Sequence, residues 1–511
     1  MRRRRLVGLL VALAVVVGAG AFAFVAASGV SGSAMATADA YLAAWQRSDI
    51  TSMERMVADP PKDFTDRHLA FAEQFRVNAL TLRAGALKAT GKETAELPFT
   101  GTRQLTGMGP WGFAGTLRLA VREGAWKVLW GPETLHPALK DGGALALEEI
   151  EVSGVELVTR SGAAFPHDSA AERYLDELKE RLGETNTGWA IRAAARGAKP
   201  RTLVVFQPPP ARQVRVTLSR PVQAAAARAL DGVAREAAIV AIKASTGEIL
   251  AVADRLGERA AFQRFFPPGS TFKVVTSAGL LKAGLSASSG VACPSSFTIP
   301  NGRTFKNASE SVTASSLAGA FAVSCNTTFV EQAVTRLGAT RLDEVAKEWG
   351  FGRRVLPTGV GGLCGAIDPT TNPDRVGENA IGQGSVRASP LCMATLAAAV
   401  GSGTWRAPRL VTAKAARKLD GAPPAEIALD QRVAGELRTM MRQVVADGTA
   451  KGAGLGADVA GKTGTAEVGD GPPHAWFVGY RGDLAFCVFV KHGGSGAKVA
   501  LPIAASFLGA L

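Results

Sequence analysis

The chain is poor in the residues that metal and redox chemistry use. Its 511 residues include five histidines and five cysteines. The histidines form no His-Glu-x-x-His string and the cysteines no Cys-x-x-Cys pair, which argues against a zinc site. Cys293, Cys325, Cys364, Cys392 and Cys487 are odd in number, so at least one has no partner. An exported compartment permits a disulfide, but spacing singles out no pair. Most of the five read as small buried hydrophobes. Beyond the N-terminus there is no basic run and no nucleic-acid motif, so nucleic acid is not an expected partner despite a net charge of +14. No internal repeat is present.

What is present is enough apolar material for packed cores, 47% hydrophobic against 20% charged, over a length that suggests two to four domains. Arg2 to Arg5 carry four of the positive charges; the run Leu6 to Ala27 that follows has none. About 20 apolar residues span a bilayer as a helix, and flanking arginines stay on the cytoplasmic side. The expectation is a cytoplasmic tail at 1–5, a transmembrane anchor at 6–27 and an extracytoplasmic remainder, hence a single-pass protein of the cell membrane. A cleaved signal peptide competes, since Val25-Ala26-Ala27 and Ala34-Met35-Ala36 resemble cleavage sites. No cysteine near the run offers a lipidation site.

Three strings in the second half carry chemistry: Ser270-Thr271-Phe272-Lys273, Ser324-Cys325-Asn326 and Lys462-Thr463-Gly464. Pro267-Pro268-Gly269 is unsuited to a helix interior, so a helix is expected to start at Ser270. Ser270 and Lys273 then share one face, a turn apart, and a helix N-terminus favours an alkoxide. To accept the serine proton, Lys273 must be neutral, far from its ordinary value of about 10.4. Burial and a second cation, Lys462, would achieve this. Ser324 suits proton transfer between Lys273 and a leaving amine, and Asn326 suits a substrate amide. Lys462 to Thr465 reads as an edge strand beside the serine. There Gly464 permits close approach, Lys462, Thr463 and Thr465 bind substrate, and the N–H groups of Ser270 and Thr465 form an oxyanion hole.

Each string has a plainer explanation: chance for Ser-x-x-K, a helix cap for Ser-x-Asn, an ordinary strand for Lys-Thr-Gly. A second Ser-x-x-K, Ser495 to Lys498, lies in a glycine-rich stretch where no helix start is expected. Gly456 to Thr463 also matches the phosphate loop G-x-x-x-x-G-K-[ST]. That loop needs a helix directly after it, and Gly464, Gly469, Gly471 and Pro472-Pro473 leave no room for one.

Residues 35–139 read as an α+β module. Helical spacing covers Ala36 to Met56 and His68 to Phe75, and strands are expected at 79–89, 94–102, 115–122 and 125–130. Residues 140–213 read as an interdomain or linker region holding one amphipathic helix, Ser169 to Leu182; Thr185 to Arg212 is Ala-, Arg- and Pro-rich. From 214 to 511 the pattern is globular. Strands at 238–243, 249–253, 459–468, 475–480 and 485–491 come from both ends of the domain, with helices at 222–233, 272–282, 316–337, 342–349 and 391–400 between them.

The ordered strings are the signature set of penicillin-binding proteins and serine β-lactamases. With Gly247-Glu248-Ile249-Leu250-Ala251, Gly382-Gln383-Gly384, Ala388-Ser389-Pro390-Leu391, Met393-Ala394 and His474-Ala475-Trp476-Phe477-Val478-Gly479, residues 214–511 resemble the transpeptidase domain of class B, monofunctional penicillin-binding proteins. Trp126 to Pro132 and His136-Pro137-Ala138-Leu139 resemble the close of that family's NTF2-like N-terminal domain. The module reads as a spacer, with no ionisable cluster demanding catalysis. The resemblance implies an anchored α+β multidomain protein: an NTF2-like cone, then an antiparallel sheet flanked by helices. It implies a D,D-transpeptidase that cross-links peptidoglycan stem peptides through a serine acyl-enzyme without a cofactor. β-Lactams would acylate the same serine, and membrane polymerase, divisome or elongasome proteins would be partners. A D,D-carboxypeptidase or β-lactamase-like hydrolase, a membrane-bound β-lactam sensor and a structural partner of wall synthesis remain alternatives.

Overall fold

The computed structural model describes residues 30–165, 169–195, 197–210, 212–309, 312–353, 355–469 and 471–511. The expected anchor at 6–27 lies outside the described residues, among which no helix is long and apolar enough to cross a membrane. The chain divides into two compact units, one holding the described residues up to Gly154 together with Thr185–Pro210, the other Val155–Glu184 and Ala211–Leu511.

In the first unit, helix α1 (Ala34–Gln46) is capped by Ser33, whose hydroxyl accepts from the Ala36 N–H, and it buries Ala38, Tyr41, Leu42 and Trp45. The single helix expected over 36–56 breaks at Ser48 (φ +56°), and Asp49 caps a separate α2 (Ile50–Arg55). Helix α3 (Phe64–Gln74) begins four residues before the expected start. Strands β1 (Val77–Ala84), β2 (Lys88–Ala89), β3 (Thr94–Leu105), β4 (Gly109–Arg122) and β5 (Ala125–Val128) form one sheet in the order β1-β3-β4-β5, with β2 against β3. All its pairings are antiparallel. Along β3 the inward positions Ala95, Leu97, Phe99, Gly101, Arg103 and Leu105 are buried in strict alternation.

The interdomain or linker region expected over 140–213 holds regular structure. Strands β6 (Ala144–Ser153), β7 (Thr185–Ala194) and β8 (Arg201–Phe206) make a three-stranded antiparallel sheet in the first unit. Its Ile191, Ala193 and Phe206 join that unit's core. Alanine and arginine on alternate positions lower apparent β propensity while leaving the ladder intact. The helix within this region, α4 (Glu172–Leu182), belongs to the second unit. Tyr174 on α4 donates to Asp254 Oδ2 at 2.6 Å, and Arg181 pairs with Asp420 at 2.6 Å.

The second unit, after α5 (Arg220–Ala229), contains strands β9 (Ala237–Lys243), β10 (Glu248–Asp254), β11 (Val459–Val468), β12 (Gly471–Arg481) and β13 (Leu484–Val490). They form an antiparallel sheet in the order β10-β9-β13-β12-β11, from the two ends of the domain, with β11 at one edge. Between β10 and β11 come α6 (Lys273–Lys282), α7 (Leu317–Ala322), α8 (Asn326–Gln332), α9 (Gly338–Glu348), α10 (Pro390–Ser402) and α11 (Gln431–Ala446); α12 (Leu501–Gly509) ends the chain. The helix expected over 316–337 is interrupted at Ser324-Cys325. Two disulfides, Cys293–Cys325 and Cys364–Cys392, correct the reading of most cysteines as buried hydrophobes. Their Cα atoms stand 6.1 and 4.4 Å apart, within bridging range. Cys487, on β13, is buried and free.

Candidate active site

Phe266 and Ala388 exchange backbone hydrogen bonds of 2.9 and 2.8 Å, fixing the chain just before the Pro267-Pro268 pair. Gly269 then turns at φ +53°, its N–H held by the Gly382 carbonyl at 2.9 Å. Ser270 lies in a 3₁₀ turn, Gly269–Phe272, and the α-helix begins at Lys273 rather than at the serine. The turn is pressed against β11. A Cβ on Gly269 would stand 2.3 Å from the Thr465 carbonyl oxygen, and one on Gly464 would stand 2.7 Å from Thr271 Cγ2. Trp476, opposite Gly464 on β12, donates its indole N–H to Pro267 O at 3.0 Å. Lys462-Thr463-Gly464-Thr465 is therefore an edge strand beside the half-buried Ser270.

The break between α7 and α8 supplies the third side. Ser324 adopts φ +63°, a left-handed conformation uncommon for a residue with a side chain. Asn307 Oδ1 accepts from the N–H groups of Asn326 and Thr327 at 2.8 and 3.2 Å, capping α8. Cys325, the middle residue of the string, is tied to Cys293.

Both lysines converge on this break. Lys273 Nζ donates to Ser324 O (2.7 Å) and Asn326 Oδ1 (2.7 Å), and lies 3.4 Å from Ser324 Oγ. Lys462 Nζ donates to Ser324 Oγ and Thr463 O, both at 3.0 Å. Each is fully buried, and among the described residues neither forms an ion pair. Burial holds Lys273 well below the ordinary lysine range, and the Lys462 cation lowers it further. Burial brings Lys462 to about 7. A serine hydroxyl has two lone pairs and one proton. Ser324 Oγ can accept from Lys462 and still donate, while a neutral Lys273 places its two N–H bonds on Ser324 O and Asn326 Oδ1.

Asn326 uses Oδ1 on Lys273, while its Nδ2 reaches Lys306 O at 3.3 Å. The hydroxyls of Thr463 and Thr449 are hydrogen-bonded to each other at 2.6 Å. Thr465 Oγ1 accepts from the Gly496 N–H at 3.1 Å, so its hydroxyl proton is what remains for another partner. Sequence reasoning missed Asn307, Thr449 and the bridge to Cys293, which act from distant points in the chain and carry no local motif. The second Ser-x-x-K does lie at a helix start, contrary to expectation: Ser495 precedes the turn Gly496–Ala500 that runs into α12. Lys498 is nevertheless exposed. The segment after Thr463 continues as strand β11, which is incompatible with a phosphate loop.

A cleft of about 840 Å³ borders the exposed end of β11, lined in part by Arg303, Lys306, Gln383, Glu467, His474 and Lys491. It adjoins Asn326 through Lys306.

Residues 237–509, more than half of the chain, match the penicillin binding protein transpeptidase domain, and 33–143 match the NTF2-like N-terminal transpeptidase domain. The chain belongs to the penicillin-binding-protein transpeptidase family. It is 30% identical over 325 residues to the peptidoglycan D,D-transpeptidase PbpA of Mycobacterium tuberculosis, covering 52% of this chain and 65% of that one. The chain thus spans just under two thirds of that relative's length. The stage V sporulation protein D of Bacillus subtilis is 32% identical over 155 residues, 28% of this chain and 24% of its own. Among solved structures, penicillin-binding protein A from M. tuberculosis as its penicillin G acyl-enzyme superposes with a TM-score of 0.52 at 27% identity, covering 60% of this chain and 81% of that one.

Proposed function

We propose that this chain is a peptidoglycan D,D-transpeptidase with Ser270 as its nucleophile. The observation that carries the reading is the pair of buried lysines that meet at Ser324 beside the Ser270 turn, Lys273 on its carbonyl and Lys462 on its hydroxyl. Burial keeps Lys273 available as a free base. It takes the Ser270 proton as Oγ attacks the penultimate carbonyl of a stem peptide ending in D-alanyl-D-alanine. The N–H groups of Ser270 and Thr465 receive the oxyanion. The carbon–nitrogen bond then breaks, and the proton passes from Lys273 through Ser324 to the leaving D-alanine. An amine from a neighbouring stem attacks the ester, its proton returns along the same path, and Ser270 is restored. This is two-step covalent catalysis. Lys462 and the Thr463 and Thr465 hydroxyls hold the terminal carboxylate, Gly464 lets the substrate backbone lie against β11, and Asn326 Nδ2 holds an amide. The basic cleft beside Asn326 suits the remaining stem.

The run Leu6–Ala27 after Arg2–Arg5 supports a single-pass anchor with the enzyme outside the membrane. That placement makes membrane polymerase, divisome or elongasome proteins the expected partners.

Labelling with a fluorescent penicillin tests the site. Label on the wild type and on Ser495→Ala, lost on Ser270→Ala, is the expected pattern. Label retained by Ser270→Ala would refute the assignment. An adduct that persists for many turnover times supports transfer to an amine, whereas rapid release would favour the hydrolase.

A further inference from the structure

The cleft at the exposed end of β11 holds more positive charge than its own carboxylates offset. Arg264, Arg303, Lys306, Arg375, Arg387 and Lys491 line it, against Glu378 and Glu467. Glu378 is shared by two guanidiniums: Arg303 pairs with it, and Arg375 Nη1 stands 3.4 Å from its other oxygen. Lys491 pairs with Glu236. Among the described residues Lys306, Arg264 and Arg387 form no ion pair, and neither does Glu467. Arg387 commits Nη1 to the Gly384 and Val386 carbonyls, at 3.0 and 2.8 Å. Lys306 and Arg264 are exposed, so their charged ends are open to a ligand.

Position decides what reaches these charges. Glu467, Val468 and Gly469, where β11 ends, form part of the cleft wall. Lys306 lies on the short strand Thr304–Lys306, and its carbonyl accepts from Asn326 Nδ2 at 3.3 Å. The cleft therefore begins beside the asparagine assigned to the substrate amide. A peptide laid antiparallel on β11, with its terminal carboxylate at Lys462 to Thr465, runs towards Gly469. An extended chain rises about 3.3 Å per residue, so the residues that precede D-alanyl-D-alanine lie among these cations. A stem can carry carboxyl groups there either free or as carboxamides.

We infer that this cleft selects the charge of the donor stem: one with free carboxylates upstream of D-alanyl-D-alanine acylates Ser270 faster than its carboxamide counterpart. The inference rests on the Ser270 reading above. A free carboxylate accepts charge-assisted hydrogen bonds from Lys306 and Arg264. A carboxamide carries no charge and brings an NH₂ group, itself a donor, to a wall of donors. Glu467 opposes the same carboxylate and tempers the preference. No bond is made or broken in the cleft.

Two thioester donors test this on the full chain. Both are stem peptides ending in D-alanyl-D-thiolactate, and they differ only in carrying their upstream carboxyl groups free or as carboxamides. Thiol release gives kcat/KM for each. A preference for the free acid of at least about five-fold is expected at low salt, the scale of one exposed ion pair, and it should shrink as salt screens the charges. Lys306→Gln should lower the preference, Lys306→Glu should invert it and Lys306→Arg should retain it, while Glu467→Gln should enlarge it. Equal turnover of the two donors, turnover of neither, or a preference for the acid that survives Lys306→Glu combined with Arg264→Glu would overturn the inference. Fluorescent penicillin separates the two possible failures. Label on Ser270 without stem preference overturns this inference alone, whereas label retained by Ser270→Ala overturns the reading beneath it.

Discussion

Lys462 Nζ stands 3.0 Å from Ser324 Oγ, the same oxygen that Lys273 Nζ approaches at 3.4 Å. Two lysines thus meet at one hydroxyl in a buried site, and the charge of one opposes protonation of the other. Below about pH 7 Lys462 is the charged member and holds Lys273 down. Removing that charge lets Lys273 take a proton at higher pH. Lys462→Met is therefore expected to move the acid limb of the pH–acylation profile upward, whereas Lys462→Arg leaves it in place. Stopped-flow acylation by a chromogenic cephalosporin across pH 5–9 reads this; an unmoved limb in Lys462→Met would show that the two groups are not coupled.

If Ser324 and Asn326 act as proposed, the Cys293–Cys325 bridge bears on acylation through position. It closes a 32-residue separation and fastens the residue between Ser324 and Asn326, next to a backbone held at φ +63°. Misplacing a catalytic group by about 1 Å can cost on the order of 10²-fold in rate. Cys293→Ser is expected to slow acylation by about 10- to 100-fold. The protein should still be labelled at Ser270 given time. Adding a reductant to the wild type should reproduce the loss, and Cys487→Ser should not.

The signature strings were legible because each sits on its own local structure: a Pro-Pro-Gly turn, a helix break, an edge strand. The five-stranded sheet was legible because β9, β10 and β13 are short apolar runs bounded by turn residues, and β11 and β12 are β-like segments joined by a Gly/Pro turn. Three things were not. The strands at 185–194 and 201–206 hide in an alanine- and arginine-rich composition, since a ladder is fixed by its partners as much as by propensity. Arg103 was placed outside its strand, because an arginine after Thr102 reads as solvent-facing until a partner strand carries the alternation past it. Asn307 and Thr449 reach the site only through the tertiary fold.

Gly269 and Gly464 keep the serine turn on β11. Gly269 combines φ +53° with a Cβ position 2.3 Å from Thr465 O, a backbone atom that cannot swing aside. Gly269→Ala should cost about 1–3 kcal/mol from backbone strain and reduce acylation more than Gly464→Ala. The latter meets the movable methyl of Thr271 at 2.7 Å, although Pro268 O lies at 2.9 Å. Thermal unfolding and acylation rates of the two variants, compared side by side, decide this; equal losses would mean the turn and strand yield together.

His68 makes the first unit sensitive to acid. Its ring packs against Phe64, Trp130 and Trp45 at centroid distances of 4.7, 5.7 and 5.8 Å. Burial, then the Arg103 charge, lowers it from 6.5 to about 4. The unfolded chain protonates near 6.5 and the folded unit only near 4, so the unfolded state binds more protons between those values. Stability from this group is fully present above pH 6.5 and is lost as pH falls towards 4, by about 3 kcal/mol in all. His136, brought to about 4 mainly by burial, adds a slope of the same sign. Hydrogen exchange of the β3 amides, which reads this unit within the intact chain, should show protection falling between pH 6.5 and 4 after correction for intrinsic rates. His68→Phe should flatten that fall without removing it, because His136 still titrates. An unchanged slope in His68→Phe would place the acid sensitivity elsewhere.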